Sequence, residues 1–273
     1  VKNLYRERVL IQETAGDVLI EFCEFDSNGY GAASIVNLLS QRPGATALVQ
    51  HCYFHDDTGG GVLRCSVDNT IIRCNWFEDP YWFAIKISCV PLPDTPEGSA
   101  VADALLPSHC AIIGNVVIYG FGPGQPYNGI SLGGDSEQSP GTEGDSDIAY
   151  NLFVTRRGGG LPQVQFVVHG NADRINFYNN VFLEWGHVGG CKVYDRGETY
   201  PNSPRTQAFV QRRGSGEPIV AGANNWMSDG AFGVPDGVKD TVRGQNPRFV
   251  ELLGYDFHPT PDSPLALKGA WPL

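Results

Sequence analysis

A short motif recurs along the chain: asparagine or cysteine, then any residue, then a large apolar residue, usually followed by a glycine-containing turn. The copies are "FCEFDSNGYGA" from Phe22, "HCYFHDDTGGG" from His51, "CNWFEDPYWFA" from Cys74, "GNVVIYGFGPG" from Gly114, "YNLFVTRRGGG" from Tyr150, "NNVFLEWGHVGG" from Asn179 and "NNWMSDGAFG" from Asn224. The Asn or Cys positions are 23 to 45 residues apart. Repetition at about 20–50 residues is typical of solenoids, propellers and repeat arrays.

Short runs rich in β-branched residues lie on both sides of the motif. The runs before it are "DVLIEF", "TALVQH", "NTIIRC", "CAIIGN", "SDIAYN" and "RINFYN"; those after it are "ASIVNLL", "GVLRCS", "FAIKISC", "NGISLGG", "QVQFVVHG" and "CKVYDR". They are too short for helices, and 34 glycines and 19 prolines indicate many turns. We therefore predict an all-β parallel solenoid in one domain, with coils over about 1–233 and an irregular C-terminal cap over 234–273.

The Asn or Cys of each copy is predicted to form one inward column, stacked at about 4.8 Å from coil to coil. Its members are Cys23, Cys52, Asn75, Asn115, Asn151, Asn180 and Asn225. Asparagine tolerates left-handed backbone geometry, and its amide is able to hydrogen-bond to the asparagine of the next coil. We expect the cysteines to be reduced core residues, because there are seven and no C-x-x-C pair.

This pattern resembles the right-handed parallel β-helix of the pectin-lyase-like superfamily over nearly the whole chain. The segment "NPRFVELLGYDFHPTPDSPLALKGA" from Asn246 is similar to the segment that closes many bacterial members. The resemblance implies a single-stranded right-handed β-helix with long loops on one side. It leaves several functions open, which are polysaccharide lyase, epimerase, glycoside hydrolase, phage tailspike and adhesin. The opening "VKNLYRERVLIQETAG" is short for an N-terminal cap, so trimming, a homo-oligomer or another partner covering that end is expected.

The net charge and the hydropathy of the chain exclude two classes of binding partner. The net charge of −11 argues against nucleic acid, because such binders need a basic face. The sequence contains no run of about 18 apolar residues, so no transmembrane helix is predicted. No signal peptide is visible in this chain, and the resemblance implies a secreted or cell-surface protein that binds a polysaccharide.

The strands that follow the glycine turn carry the candidate chemistry. Alternation predicts that one outward face holds Arg64, Lys86, Ser131, His169, Lys192 and Tyr194. Arg64 and Lys86 belong to successive coils, so two cations stack about 5 Å apart and favour an anion between them. Their repulsion also favours the neutral amine that a general base needs. Solvated or loop-paired cations are the alternative interpretation.

Long insertions follow three of these strands and predict a wall beside the cationic row, hence a groove for an extended polymer. Trp82 and Arg156 are candidate substrate contacts, and Ser131 and Lys192 are candidate subsite residues. The acidic loop "GGDSEQSPGTEGDSD" offers Asp135, Glu137 and Asp145 to Ca²⁺, although acidic loops are usually only solvated. The acids Asp56, Asp57, Glu78 and Asp79 offer a carboxylate pair for glycoside hydrolysis, or ordinary polar turns.

The resemblance implies a mechanism for the favoured function, β-elimination on a uronate-containing polysaccharide. A cation or Ca²⁺ neutralises the uronate carboxylate, a basic side chain removes the C5 proton, and an acid protonates the leaving oxygen. In this sequence Lys86 is the candidate base, Arg64 the carboxylate ligand, and Tyr194 or His169 the acid. An epimerase would use similar groups. A non-catalytic glycan-binding β-helix and a glycoside hydrolase remain the alternatives.

Overall fold

The computed structural model describes residues 9–12, 16–26, 34–40, 42–57, 60–88, 107–119, 128–132, 142–155, 164–169, 172–184, 207–212, 219–229, 233–252 and 254–265. These residues form three parallel sheets, and successive strands along the chain go to the first, second and third sheet in turn. Each strand therefore pairs with the equivalent strand of the next coil, which is the topology of a parallel β-helix. The predicted fold class is confirmed.

The first sheet has seven described strands. They are β1 (Val9–Gln12), β4 (Val36–Leu39), β7 (Leu63–Ser66), β10 (Phe83–Ile87), β13 (Asn128–Leu132), β16 (Val164–His169) and β19 (Gln207–Arg212). The "QVQFVVHG" strand pairs with β13 on one side and with β19 on the other. We expected "CKVYDR" to be the next strand of this sheet, but the strand beside β16 is Gln207–Arg212. The "CKVYDR" segment lies outside the described residues.

The second and third sheets have eight described strands each. The second contains β2 (Val18–Glu21), β5 (Thr46–Gln50), β8 (Asn69–Arg73), β11 (His109–Ile113), β14 (Thr142–Ala149), β17 (Ala172–Tyr178), β20 (Ile219–Ala223) and β22 (Val238–Lys239). The third contains β3 (Glu24–Asp26), β6 (Tyr53–His55), β9 (Trp76–Glu78), β12 (Val116–Tyr119), β15 (Leu152–Thr155), β18 (Val181–Glu184), β21 (Trp226–Ser228) and β23 (Val242–Gly244). Because β22 and β23 still pair within these sheets, the stack of coils continues beyond residue 233.

The interior is built from columns of apolar side chains that repeat from coil to coil. In the third sheet the large apolar residue of the motif points inward, and the rings of Phe25, Phe54 and Phe77 stack at 4.7 and 4.8 Å. Phe153 and Phe182 stack in the same way at 5.0 Å. These distances match the spacing between neighbouring strands, about 4.8 Å. The regular motif therefore exists because every coil must fill the same interior volume.

The asparagine column forms the predicted hydrogen-bonded ladder at the corner between the second and third sheets. Asn75, Asn115, Asn151, Asn180 and Asn225 are all buried. The last four accept, through the side-chain oxygen, from both the backbone N–H and the side-chain amide of the asparagine before them, and the Asn75 oxygen accepts from the backbone N–H of Cys52. The left-handed backbone lies one residue earlier than predicted. The residues with positive φ there are Phe22, His51, Cys74, Gly114, Tyr150, Asn179 and Asn224.

The five described cysteines are free thiols, as expected, but Cys74 is exposed and is not the core residue that we predicted. Cys52 is buried in the asparagine column, but Cys23 is exposed, although we predicted that both would be buried. The difference has a geometric reason, because Cys23 belongs to the first described coil of the third sheet. Cys89 and Cys191 lie outside the described residues.

The C-terminal segment forms an antiparallel hairpin of β24 (Phe249–Glu251) and β25 (Asp256–Pro259). Its side chains Phe249, Tyr255 and Phe257, with Leu265 beyond, pack in one apolar cluster with the outward residues of the third sheet, such as Trp76, Ile118 and Val154. The hairpin therefore lies along the side of the β-helix. Within the described part of the chain, no helix has the length and apolar character needed to cross a membrane.

Candidate functional site

Three polar side chains lie in one row across the first sheet. Arg64 on β7 is the register partner of Lys86 on β10, and Lys86 is the register partner of Ser131 on β13. The residues on either side of them along each strand, such as Ile85 and Ile87, are buried in the main core. Alternation therefore directs the row away from the interior, as predicted from the sequence. The row continues through Asn37 at one end and Val167 at the other.

The row is much less accessible than an open groove would make it. Lys86 is only 4% exposed and Ser131 only 2%, while Arg64 is half-buried. The ammonium of Lys86 lies 5.6 Å from the centre of the Phe83 ring, within the range of a cation–π contact. Lys86 is thus shielded from water, and the half-buried Arg64 beside it stays partly accessible.

Several polar atoms near the row lack hydrogen-bond partners among the described residues. They are Arg64 Nε, Ser131 Oγ, Ser88 Oγ and Gln165 Oε1, all of them buried. The amide nitrogen of Gln165, Nε2, does have a partner, because it donates to Thr155 Oγ1 at 2.9 Å. A buried donor without a partner costs about 1–3 kcal/mol. Arg64 Nε and the Ser131 hydroxyl are therefore groups that an anionic ligand would satisfy.

The structure brings together only part of the predicted site. His169 is the last residue of β16, and its register partner is Arg212, but nothing is described of its side chain. The other predicted residues Arg156, Lys192 and Tyr194 lie outside the described residues. Trp82 is 39% exposed in the turn before β10, and its ring lies 6.3 Å from that of Tyr81. The aromatic side chain of Trp82 is thus available at the surface, on the strand connection that leads to Lys86.

The predicted calcium ligands are only partly described. Asp135 and Glu137 lie outside the described residues. The sequence predicted that Asp145 lies in a loop, but it belongs to strand β14. Its carboxylate lies 3.7 Å from Arg174 Nε. A carboxylate already paired with a guanidinium is a poor calcium ligand, so Asp145 fits the predicted metal site badly.

The four acids considered for glycoside hydrolysis have other contacts. Asp57 is buried and accepts from the backbone N–H of Tyr81 at 3.0 Å. Glu78 accepts from the hydroxyls of Tyr53 and Tyr255 at 2.9 and 3.1 Å. Asp56 and Asp79 occupy left-handed turn positions. These contacts favour structural roles for the Asp57 and Glu78 carboxylates over a catalytic pair.

A cluster that sequence reasoning missed lies on the exposed part of the third sheet. Asp26, His55 and Asp56 place one ligand-type atom each within 4.8 Å of one another. His55 Nδ1 lies 2.9 Å from Asp56 and Nε2 lies 3.1 Å from Glu24. Burial opposes protonation of the ring, but the hydrogen bonds to the Asp56 and Glu24 carboxylates outweigh it and raise the pKa of His55. Glu24 and Asp26 become neighbours of His55 only through the register between two coils, which their positions in the sequence do not show.

Comparisons of the chain with protein-family models, with curated proteins and with solved structures return no match.

Proposed function

We propose that the protein is a carbohydrate-active enzyme that cleaves a uronate-containing polysaccharide by β-elimination. The observation that carries the proposal is that Lys86 and Arg64 are register partners in a row where Arg64 Nε and Ser131 Oγ have no hydrogen-bond partner among the described residues. The family resemblance to pectin-lyase-like proteins and a secreted or cell-surface location belong to the same proposal.

In this proposal Arg64 and the Ser131 hydroxyl bind the uronate carboxylate. Charge neutralisation there makes the C5 proton more acidic, and the neutral amine of Lys86 removes it. The C5–H electron pair forms the C4–C5 double bond, the C4–O bond breaks, and the leaving oxygen takes a proton from an acid. His169 and Tyr194 are the residues proposed for that last step.

Burial of Lys86 supports a base that works away from bulk water. A recess that excludes water strengthens the interaction of Arg64 with a carboxylate, because the local dielectric is low. It also means that a single sugar unit, rather than a long stretch of polymer in an open groove, would occupy the row. Trp82 is proposed to contact a neighbouring sugar ring at the surface.

The test is the ultraviolet absorbance of the unsaturated product on alginate, pectate, chondroitin, hyaluronan and heparin. Lys86→Ala should remove the signal, and Arg64→Ala should weaken binding as well as turnover. Lys239→Ala is the matched control, because this exposed lysine lies on β22 and its amine binds the Asp236 carbonyl. A flat trace for the folded wild-type protein on every polymer would reject the lyase for these substrates.

A non-catalytic glycan-binding β-helix, such as an adhesin or a tailspike-like protein, is the second candidate. The exposed ring of Trp82 supports it, because an aromatic face at the surface is able to stack on a sugar ring without any chemistry. It predicts binding to an acidic glycan without any unsaturated product, and equal binding by wild type and Lys86→Met. Sedimentation would then separate a tailspike-like trimer from a monomeric binder.

A further inference from the structure

A separate cavity lies between the third sheet and the C-terminal hairpin. It has a volume of about 400 Å³ and reaches across three coils, from Trp76 through Gly114 to Tyr150. The hairpin supplies the opposite wall with Tyr255 and Phe257. Pockets for small molecules have volumes of about 300–1,000 Å³, so the cavity has room for one or two sugar rings. It is on a different sheet from Lys86 and shares no residue with the row of the first sheet.

Gly114 lines the cavity without contributing a side chain to it. Gly114 has a φ of 67° and occupies the left-handed corner position between Cys74 and Tyr150 in the neighbouring coils. The same position is held by Asn179 and Asn224 in later coils, with φ values of 55° and 60°. The backbone therefore accepts a side chain at this corner, and a side chain at position 114 would add to the wall that Gly114 and Tyr150 share.

Aromatic rings from both the β-helix and the hairpin contribute to the walls of the cavity. The Trp76 indole packs against Phe257 with ring centres 5.6 Å apart, and against Tyr255 with centres 5.8 Å apart in an edge-on arrangement. These contacts fix the orientation of the rings on the hairpin side. Tyr150 stands on the coil side, only half-buried. Aromatic faces that are held in place and partly open to solvent suit the flat apolar face of a pyranose ring.

Polar groups at the rim indicate the charge of the ligand. Asp256 uses one carboxylate oxygen, Oδ1, for the backbone N–H and the ring of His258. Among the described residues, nothing donates to the second oxygen, Oδ2, or bonds to the Tyr150 hydroxyl. A free carboxylate oxygen accepts hydroxyl hydrogens but repels another carboxylate. The rim therefore suits a neutral sugar and disfavours a uronate.

We propose that the cavity between Trp76, Gly114, Tyr150 and the hairpin is a binding site for a neutral pyranose unit. The ring would stack on the aromatic wall, and its hydroxyls would donate to Asp256 Oδ2 and accept from Tyr150. This site holds a sugar chain on the side of the β-helix and performs no chemistry. It goes beyond the proposed lyase activity and does not depend on it.

The test is titration of the protein with methyl pyranosides of glucose, galactose and mannose, with N-acetylglucosamine, and with glucuronate and galacturonate. Saturation-transfer NMR identifies the ligand protons in contact, and a change in indole fluorescence that is lost in Trp76→Phe reports on Trp76. Gly114→Asn fills the cavity with a side chain that the same corner accepts at Asn179. Cys74→Asn is the matched control, because it introduces the same residue one coil away in the same column and outside the cavity.

We expect at least one neutral pyranoside to bind saturably to the wild type and to Cys74→Asn, and binding to fall at least tenfold in Gly114→Asn. Lys86→Ala should bind as the wild type does, so failure of the lyase proposal leaves this result unchanged. Three outcomes would overturn the proposal: no neutral sugar binds at millimolar concentration, the uronates bind best, or Gly114→Asn binds normally. Binding of a quaternary ammonium compound in place of sugars would identify a cation cage and also reject it.

Discussion

The side-chain amide of Asn75 donates to the side-chain oxygen of Asn115 at 3.1 Å, and the Asn75 backbone N–H donates to the same oxygen at 3.0 Å. The Asn115 amide in turn donates to Ile72 O at 2.9 Å and to Asn151 at 3.0 Å. Each asparagine therefore satisfies buried groups in the coils on both sides of it. The column is a continuous hydrogen-bonded spine along the corner between the second and third sheets.

Asn115→Ala should strongly destabilise the protein. The substitution leaves the Asn75 backbone N–H and the Ile72 carbonyl without the bonds that Asn115 supplies, while the Asn75 amide keeps its bond to the Val49 carbonyl. At about 1–3 kcal/mol for each of the two groups, we expect a loss of about 2–6 kcal/mol in all. Asn176→Ala is the control, because Asn176 is half-buried and makes one bond, to Asp147 at 2.8 Å. Its expected cost is about 1 kcal/mol. Urea unfolding followed by circular dichroism measures both, and equal losses would contradict the structural role of the ladder.

Local repetition explains why the coils were predictable. The period of the sequence predicts the motif positions and the strands of the second sheet. Alternation along a strand predicts that the side chains of Ile85 and Ile87 point inward. Both are properties of neighbouring residues. Alternation also assigned Lys86 to the outward face. It did not predict the burial of Lys86, because direction along a strand says nothing about what lies above it.

Features that depend on distant contacts were missed. The grouping of Glu24, His55 and Asp56 requires the register between two coils. The packing of the C-terminal hairpin against Trp76 joins residues far apart in the chain, with no periodic signal between them. The strand Gln207–Arg212 was missed because a long insertion separates it from the motif of its own coil.

Gly222→Ala should also be costly, for a steric reason. A Cβ at Gly222 would overlap the backbone carbonyl of Phe177, its register partner on the neighbouring strand. Backbone atoms inside a sheet cannot move far, so we expect a loss of about 3 kcal/mol, at the upper end of the range for overpacking. Gly16→Ala is the control, since a Cβ there meets nothing within 4 Å and should change stability by about 0.5 kcal/mol or less. Thermal unfolding of both variants tests the difference, and a stable Gly222→Ala protein would refute the predicted clash.

Protonation of His55 should stabilise the first coils at low pH. Its pKa is raised in the folded state, where burial opposes the charge but Asp56 and Glu24 more than compensate. The stabilisation is therefore complete below the unfolded-state pKa of about 6.5 and is lost as the pH rises through the folded-state pKa. Its size should stay below about 1 kcal/mol, because the carboxylates are exposed. The difference in unfolding free energy between wild type and His55→Gln should be largest near about pH 5 and smallest near about pH 9. A difference that grows with pH would show that folding lowers the pKa of His55 and would contradict the prediction. NMR titration of the ring measures the pKa directly.

The Glu78 carboxylate joins the hairpin to the β-helix, because it accepts from Tyr255 on the hairpin and from Tyr53 on β6. Tyr255→Phe removes only the bond between the two units, and Tyr53→Phe removes a bond to the same carboxylate within the stack. A hydrogen bond of this kind contributes about 0.5–1.5 kcal/mol, which corresponds to roughly two- to tenfold faster local opening when it is lost. Amide hydrogen exchange over Phe249–Glu251 and Asp256–Pro259 should accelerate in Tyr255→Phe and stay close to wild type in Tyr53→Phe. If both variants exchange alike, the apolar contacts of Phe257 with Trp76 alone hold the hairpin, and Glu78 has no part in its docking.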